Sequence, residues 1–125
     1  MHMIVQNKYH HTIFFLISYG LTETCSSGAI MECGDLRCNH VGAPLSSVEI
    51  KLRAWHEGGY SPHDSLGPRG EILISGGPVS RGYFHHPELT CRDFVTDPDG
   101  RRWFCTGESF GTHTTLQIGI CNKLN

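Results

Sequence analysis

The segment GEILISGGP, residues 70–78, decides how this chain of 125 residues folds. A short apolar run stands between glycines at both ends, and residues 71–75 are therefore predicted to form a strand. Residues 48–53 alternate apolar and charged side chains, which is typical of a half-buried strand. Residues 102–105 predict another strand. The middle of the chain is thus expected to consist mostly of short antiparallel strands in a small open barrel.

The regions on either side of these strands give further predicted elements. Residues 12–17 form a continuous apolar run, which favours a strand buried on both faces, as in a parallel sheet. Residues 24–42 are small, polar and punctuated by glycine, which indicates a loop with one helical turn near residues 27–31. Residues 87–94 are predicted to form a short helix with proline in its first turn. Residues 114–120 predict a last strand.

Composition and charge exclude several classes of function. The net charge is −2 and the pI is about 6.5, so no broad basic surface for nucleic acid is expected. No membrane span is predicted, because the longest apolar run, residues 13–17, is far shorter than the roughly 20 residues that a bilayer requires. The six cysteines form no C-x-x-C pair and are expected to be reduced intracellular thiols. Cys33, Cys38 and His40 leave a zinc or redox protein as an alternative, although their spacing lacks the paired ligands of zinc modules.

The segment YGLTET, residues 19–24, combines groups that suit a nucleotide. Tyr19 offers an aromatic face for a base, and Gly20 lets the backbone approach a ligand closely. Thr22 offers a hydroxyl for a phosphate oxygen, and Glu23 offers the hard oxygen that Mg²⁺ prefers. The segment follows a predicted strand, where ligands bind in open α/β sheets. The alternative is a strand-to-loop turn whose polar residues only cap neighbouring structure.

Two later segments extend this interpretation. The segment WFCTGE, residues 103–108, places the carboxylate of Glu108 after a glycine, where it can accept hydrogen bonds from two ribose hydroxyls. Residues 70–83 are predicted to be structural, with a strand, a glycine turn and a second short strand. We assign them no direct catalytic role.

Residues 19–108 resemble the AMP-forming acyl-CoA synthetases of the adenylate-forming superfamily. The motifs that carry this resemblance are YGLTET, GEILI followed by RGY, and WFCTGE, in this order. The connecting sequence is similar to eukaryotic long-chain fatty-acid–CoA ligases, in VGAPL at 41–45, EIKL at 49–52 and EGGY at 57–60. The resemblance implies an α+β, mostly β fold, with one buried strand of the synthetase α/β core followed by a small distorted antiparallel β-barrel.

The resemblance also implies a reaction and a role for each motif residue. In the family, a fatty acid reacts with ATP to give an acyl-adenylate, and the thiol of coenzyme A then displaces AMP. Tyr19, with Gly20 beside it, matches the adenine-stacking position, and Thr22 matches the phosphate-binding hydroxyl. Glu23 matches the Mg²⁺ ligand, so Thr22 and Glu23 are the expected catalytic residues. Glu108 stands where the family has a ribose-binding aspartate. Glutamate is one methylene longer, so its carboxylate is expected to lie about 1 Å or more from the aspartate position, and a misplacement of that size can cost on the order of 100-fold in rate.

The two ends of the chain do not share the resemblance. Residues 1–18 are an unassigned segment with one apolar strand, residues 19–108 a partial AMP-binding domain, and residues 109–125 a divergent tail. The family's phosphate loop upstream and its hinge and adenylation lysine downstream have no match here. We therefore expect a fragment of a long-chain fatty-acid–CoA ligase that is inactive by itself.

A non-catalytic module is the alternative to a ligase fragment. Such a module would bind nucleotide weakly, or associate with the missing lobes or a full-length synthetase. Members of the resembled group act at the endoplasmic reticulum and the outer mitochondrial membrane. This chain is expected to be intracellular and to lack their anchor.

Overall fold

A computed structural model describes residues 2–3, 16–37, 40–65, 67–110 and 117–118. Within these residues the chain forms nine strands, one short α-helix and one 3₁₀ helix. In chain order they are β1 (His2–Met3), β2 (Ile17–Tyr19), the 3₁₀ helix (Thr22–Thr24), β3 (Ala29–Ile30), β4 (His40–Pro44), β5 (Val48–Arg53), β6 (Gly70–Gly76), α1 (Pro87–Asp93), β7 (Phe94–Thr96), β8 (Arg102–Phe110) and β9 (Gln117–Ile118).

One of the two sheets has the strand order β5-β6-β8-β7, and all its neighbours are antiparallel. Strand β6 lies inside this sheet, so its backbone groups pair on both edges. Lys51 of β5 lies opposite Leu73 of β6, and Leu73 lies opposite Cys105 of β8. Ile72, Leu73 and Ile74 are all buried, which means that both faces of β6 are covered. The continuous apolar run of this strand follows from that position.

The other sheet has the strand order β1-β2-β3-β4-β9. Its first three pairs are antiparallel, and β4 pairs with β9 in parallel. A cluster of buried side chains joins the two sheets and forms the main core. This five-stranded sheet contributes Tyr19, Ala29 and Val41, and the four-stranded sheet contributes Val48, Ile72 and Ile74. A smaller cluster of Leu73, Trp103 and Cys105 lies on the other face of the four-stranded sheet.

The predicted fold class is confirmed at the level of an α+β, mostly β protein. The strands predicted at 48–53 and 71–75 and the short helix near 87–94 are present. The strand predicted at 102–105 extends to Phe110. Both sheets are open in the strand orders of the described residues, so a closed barrel is not shown. No described helix is long and apolar enough to cross a membrane.

Three local predictions are wrong or differ from the structure. Residues 27–31 contain strand β3 in place of a helical turn, because Ala29 and Ile30 pair with both β2 and β4. The second short strand predicted after the glycine turn is absent, and residues 79–86 form turns without strand pairing. Strand β2 pairs in antiparallel on both edges, where a parallel sheet was expected. Residues 12–15 of that prediction lie outside the described residues, as do all of 114–120 except β9.

Candidate functional site

The YGLTET segment bends sharply after β2 because of a residue that the motif did not single out. The hydroxyl of Thr24 accepts a hydrogen bond from the Leu21 N–H and donates one to the Leu21 carbonyl, both at 3.1 Å. Thr24 is fully buried. This arrangement closes the 3₁₀ helix and leaves Thr22 exposed and Glu23 half-buried. The available signal was a hydroxyl side chain three positions after Leu21, the residue that precedes the helix.

Gly20 serves the chain's own backbone. A Cβ atom at this position would lie 2.3 Å from the carbonyl carbon of Ser26. Ser26 folds back here, with φ at +60°, and its N–H donates to the Leu21 carbonyl at 2.8 Å. The close approach predicted at Gly20 is therefore occupied by Ser26, and Gly20 is needed to form the turn.

Glu23 is held by a segment that was predicted to have only a structural role. The phenol of Tyr83 donates a hydrogen bond to Oε1 of Glu23 at 2.8 Å. The backbone N–H of Ser80 donates to the Glu23 carbonyl at 2.7 Å. Burial and the Glu23 carboxylate raise the pKa of Tyr83 above its usual value, so the phenol stays protonated well above neutral pH.

Glu108 lies on an irregular part of β8. Leu73 pairs with Cys105 and Glu71 pairs with Ser109, so residues 106–108 oppose Ile72 alone. Such a bulge redirects the side chains of its strand. Gly107 has φ at +68°, a backbone conformation that glycine adopts without strain.

Two side chains fix this bulge. The hydroxyl of Thr106 donates to the Ile72 carbonyl at 3.0 Å and accepts from the Glu108 N–H at 3.1 Å. Oε1 of Glu71 accepts from the Gly107 N–H at 3.2 Å, while Arg53 binds Oε2 of the same carboxylate. Glu71 and Thr106 thus shape the strand that carries Glu108, although neither was predicted to belong to the site.

The structure brings Tyr19 and Glu108 together from distant parts of the chain. Burial, and next the carboxylate of Glu108 beside it, raise the pKa of the Tyr19 phenol above its usual value. Tyr19 is only 4% exposed and belongs to the main core, whereas Glu108 is exposed. A base can therefore stack on the Tyr19 ring only if the atoms that cover it move.

The carboxylate of Glu23 fits Mg²⁺ as one ligand among several. Magnesium is commonly bound by one or two carboxylates, with water and substrate phosphates completing its coordination. The described part of the chain contains no group of three or more His, Cys, Asp or Glu side chains arranged around a metal. In the alternative zinc set, Cys38 lies outside the described residues. The Nδ1 of His40 accepts a hydrogen bond from the Gly42 N–H at 3.1 Å.

Comparison with known proteins gives consistent results. The family model described as "AMP-binding enzyme" matches residues 4–84, so the match includes most of the segment 1–18 that was expected to lie outside the resemblance. A long chain acyl-CoA synthetase 8 from Arabidopsis thaliana is 44% identical over 90 residues, which are 72% of this chain and 12% of that protein. A fatty acyl-CoA synthetase A from Dictyostelium discoideum is 40% identical over 90 residues, which are 72% of this chain and 13% of that protein.

A solved structure is also similar over most of the chain. The crystal structure of a long-chain-fatty-acid-CoA ligase from Archaeoglobus fulgidus superposes with a TM-score of 0.58 at 27% identity. The match covers 75% of this chain and 18% of that one. The chain thus spans less than one fifth of the length of each of these three similar proteins.

Proposed function

Because the chain belongs to the family of AMP-binding enzymes, we propose that residues 19–108 carry part of the nucleotide site of a long-chain fatty-acid–CoA ligase. The proposed overall reaction has two steps. A fatty carboxylate oxygen attacks the α-phosphorus of ATP, and the bond to pyrophosphate breaks. The thiol sulfur of coenzyme A then attacks the acyl carbon, its proton is lost, and AMP leaves.

Each predicted residue has a specific task in this proposal. The exposed hydroxyl of Thr22 donates to a phosphate oxygen, and Glu23 holds Mg²⁺. When bound, the metal neutralises phosphate charge. Glu108 accepts hydrogen bonds from the ribose hydroxyls. Tyr19 provides the stacking surface for adenine, which requires a local movement because its ring is covered.

The observation that carries the proposal is the meeting of Tyr19 and Glu108 beside the 3₁₀ helix. A strand end, an exposed hydroxyl, a half-buried carboxylate and a second carboxylate on a bulge occur in one region of the fold. These groups match the needs of a base, a phosphate and a ribose. In this proposal β2 belongs to the core sheet of the ligase, and the β5–β8 region belongs to its small barrel.

Nucleotide binding tests this proposal. We expect the chain to bind a fluorescent AMP analogue in the presence of Mg²⁺, and Thr22→Ala and Glu23→Gln to weaken that binding about tenfold each, since each loses one hydrogen bond or metal contact to a charged group. Glu57→Gln is the matched control, because Glu57 is exposed in a turn of the hairpin at Trp55 and Tyr60. Unchanged affinity in the first two variants would reject the site.

We further propose that the chain by itself does not complete the ligase reaction. Its matched region corresponds to 12% of the Arabidopsis relative, and the remaining parts of such a protein would supply the rest of the site. The parent enzyme would act on long-chain fatty acids at the endoplasmic reticulum or outer mitochondrial membrane. Incubation with ATP, Mg²⁺, palmitate and coenzyme A is expected to give no thioester above background, and any thioester would contradict this statement.

An exposed apolar side chain favours a second candidate function, an association module. Phe84 is 86% exposed, so its aromatic ring is available for contact with a partner. A full-length synthetase is the proposed partner. Sedimentation of a mixture with such an enzyme would show a complex, and weaker association of Phe84→Ser is expected if this surface takes part.

A further inference from the structure

Tyr83 contacts the proposed metal ligand from a different part of the chain. Its phenol donates to Oε1 of Glu23 at 2.8 Å, and the Ser80 N–H donates to the Glu23 carbonyl at 2.7 Å. Both the side chain and the backbone of Glu23 are thus held by residues 80–83. Oε2 of Glu23 accepts no hydrogen bond from the residues that the structure describes.

Tyr83 is itself fixed by the helix that follows it. Its backbone N–H donates to the Thr90 hydroxyl at 2.9 Å, and that hydroxyl donates to the His86 carbonyl at 2.9 Å. The Tyr83 ring meets the buried ring of Phe94 edge to face, with centroids 5.7 Å apart and planes at 71°. These contacts limit the rotation of the ring, so the position of its hydroxyl is well defined.

Arg102 fixes the turn that carries Tyr83. Its guanidinium donates to the Ser80 carbonyl at 2.6 Å and to the Arg81 carbonyl at 2.9 Å. The same group lies 4.2 Å from the centroid of the Phe94 ring. The turn is therefore bound to β8, and Tyr83 reaches Glu23 from a rigid support.

The chemistry of the contact suits a carboxylate that binds a cation. A phenol that donates to one carboxylate oxygen fixes the plane of the group. The second oxygen keeps its lone pairs for another partner. Mg²⁺ requires near-octahedral geometry, so a ligand held in one orientation binds it better than a freely rotating one.

We propose that Tyr83 is a positioning residue, which holds the Glu23 carboxylate by Oε1 and directs Oε2 toward a magnesium–nucleotide complex. This inference rests on the proposed function. It assigns to Tyr83 a role in the metal-dependent part of nucleotide binding, while binding without metal does not need its hydroxyl.

Affinity for a fluorescent ATP analogue, measured in Mg²⁺ and again in EDTA, tests the inference on the whole chain. Tyr83→Phe is expected to bind roughly tenfold more weakly than wild type in Mg²⁺ and equally in EDTA, because only a hydrogen bond to a charged group is lost. Tyr60→Phe is the matched control, since this tyrosine lies in the separate hairpin with Trp55, and it should equal wild type in both conditions.

A double-mutant cycle separates this role from an effect on folding. If Tyr83 acts through Glu23, Tyr83→Phe should change the affinity no further in the Glu23→Gln background. Equal weakening in Mg²⁺ and EDTA, or the same tenfold loss on top of Glu23→Gln, would overturn the inference while leaving the proposed function intact. If wild type binds the analogue neither in Mg²⁺ nor in EDTA, both the role of Tyr83 and the proposed function are overturned.

Discussion

Individual side chains of the site are arranged by other residues of the motifs, for which no binding role was predicted. Thr24 closes the 3₁₀ helix, Glu71 and Thr106 shape the bulge, and Tyr83 holds Glu23. Thr22, Glu23 and Glu108 remain available to solvent in full or in part. Hydrogen bonds from neighbouring residues thus hold the backbone and side chains of the candidate ligand-binding groups, which stay accessible to solvent.

The buried phenol of Tyr19 makes stability depend on pH in the alkaline range. Its pKa is raised in the folded protein above the ordinary value of 10.0, so the unfolded chain loses this proton first. The contribution of this phenol to the free energy of unfolding is therefore complete below pH 10. It falls as the pH rises further, by up to about 1.4 kcal/mol per pH unit. The free energy of unfolding of wild type and Tyr19→Phe can be measured by urea unfolding at a series of pH values from pH 9 upward. It should fall less steeply with pH in the variant than in wild type. An equal decrease in both proteins would contradict the raised pKa.

The candidate binding residues were easier to predict from the sequence than the contacts that surround them. Tyr19, Thr22 and Glu23 stand in one short motif whose side-chain types suggest a nucleotide, and their roles remain predictions. The contact between Tyr83 and Glu23 could not be predicted, because it joins two turns that are distant in sequence and depends on how both sheets pack. The same applies to the burial of Tyr19, whose ring is covered only when the core forms.

At the scale of elements, the turn before α1 docks on that helix through Gly82. Its φ is +137°, and a Cβ atom there would lie 2.4 Å from Cγ2 of Thr90. The helix has proline at its start and contributes Thr90 toward the turn. The position of Tyr83 therefore depends on a glycine next to it in the sequence.

Gly82→Ala tests this docking. We expect it to destabilise the protein by about 2 kcal/mol, because an alanine is strained at this φ and contacts Thr90 too closely. Gly77→Ala is the matched control, since nothing lies within 4 Å of a Cβ at that position, and it should change stability by less than about 0.5 kcal/mol. Chemical denaturation measures both. Similar effects of the two variants would show that Gly82 has no special role.

The pattern of the sequence predicted the central strands well and the short ones poorly. Residues 48–53 and 71–75 have clear alternation or a bounded apolar run, so their strands follow from local sequence. Strand β3 has two residues, Ala29 and Ile30, and exists only because β2 and β4 pair with it on both edges. Pairing of this kind comes from tertiary structure, which explains why a helical turn was predicted there.

At the scale of the whole molecule, the two open sheets share one core. Ile74 is fully buried in the cluster that also contains Tyr19 and Val41 from the other sheet. Because the candidate site lies where these sheets meet, loss of the shared core should affect both sheets and the site together.

Ile74→Ala is expected to cost about 2–5 kcal/mol of folding stability, since it removes buried methyl groups and leaves a cavity. The comparison variant Leu36→Ala removes a similar side chain that is 90% exposed and should cost less than about 0.5 kcal/mol. For each protein, unfolding followed by far-UV circular dichroism and unfolding followed by tryptophan fluorescence should give the same single transition. Separate transitions in wild type would contradict a common core.

Amide chemical shifts of the isotope-labelled protein test most directly whether one region of this chain binds the nucleotide. Addition of AMP with Mg²⁺ is predicted to shift the amide signals of residues 20–24, 80–83 and 106–108, while the hairpin at residues 55–60 stays unchanged. An absence of shifts, or shifts confined to residues outside these three segments, would contradict nucleotide binding in this region.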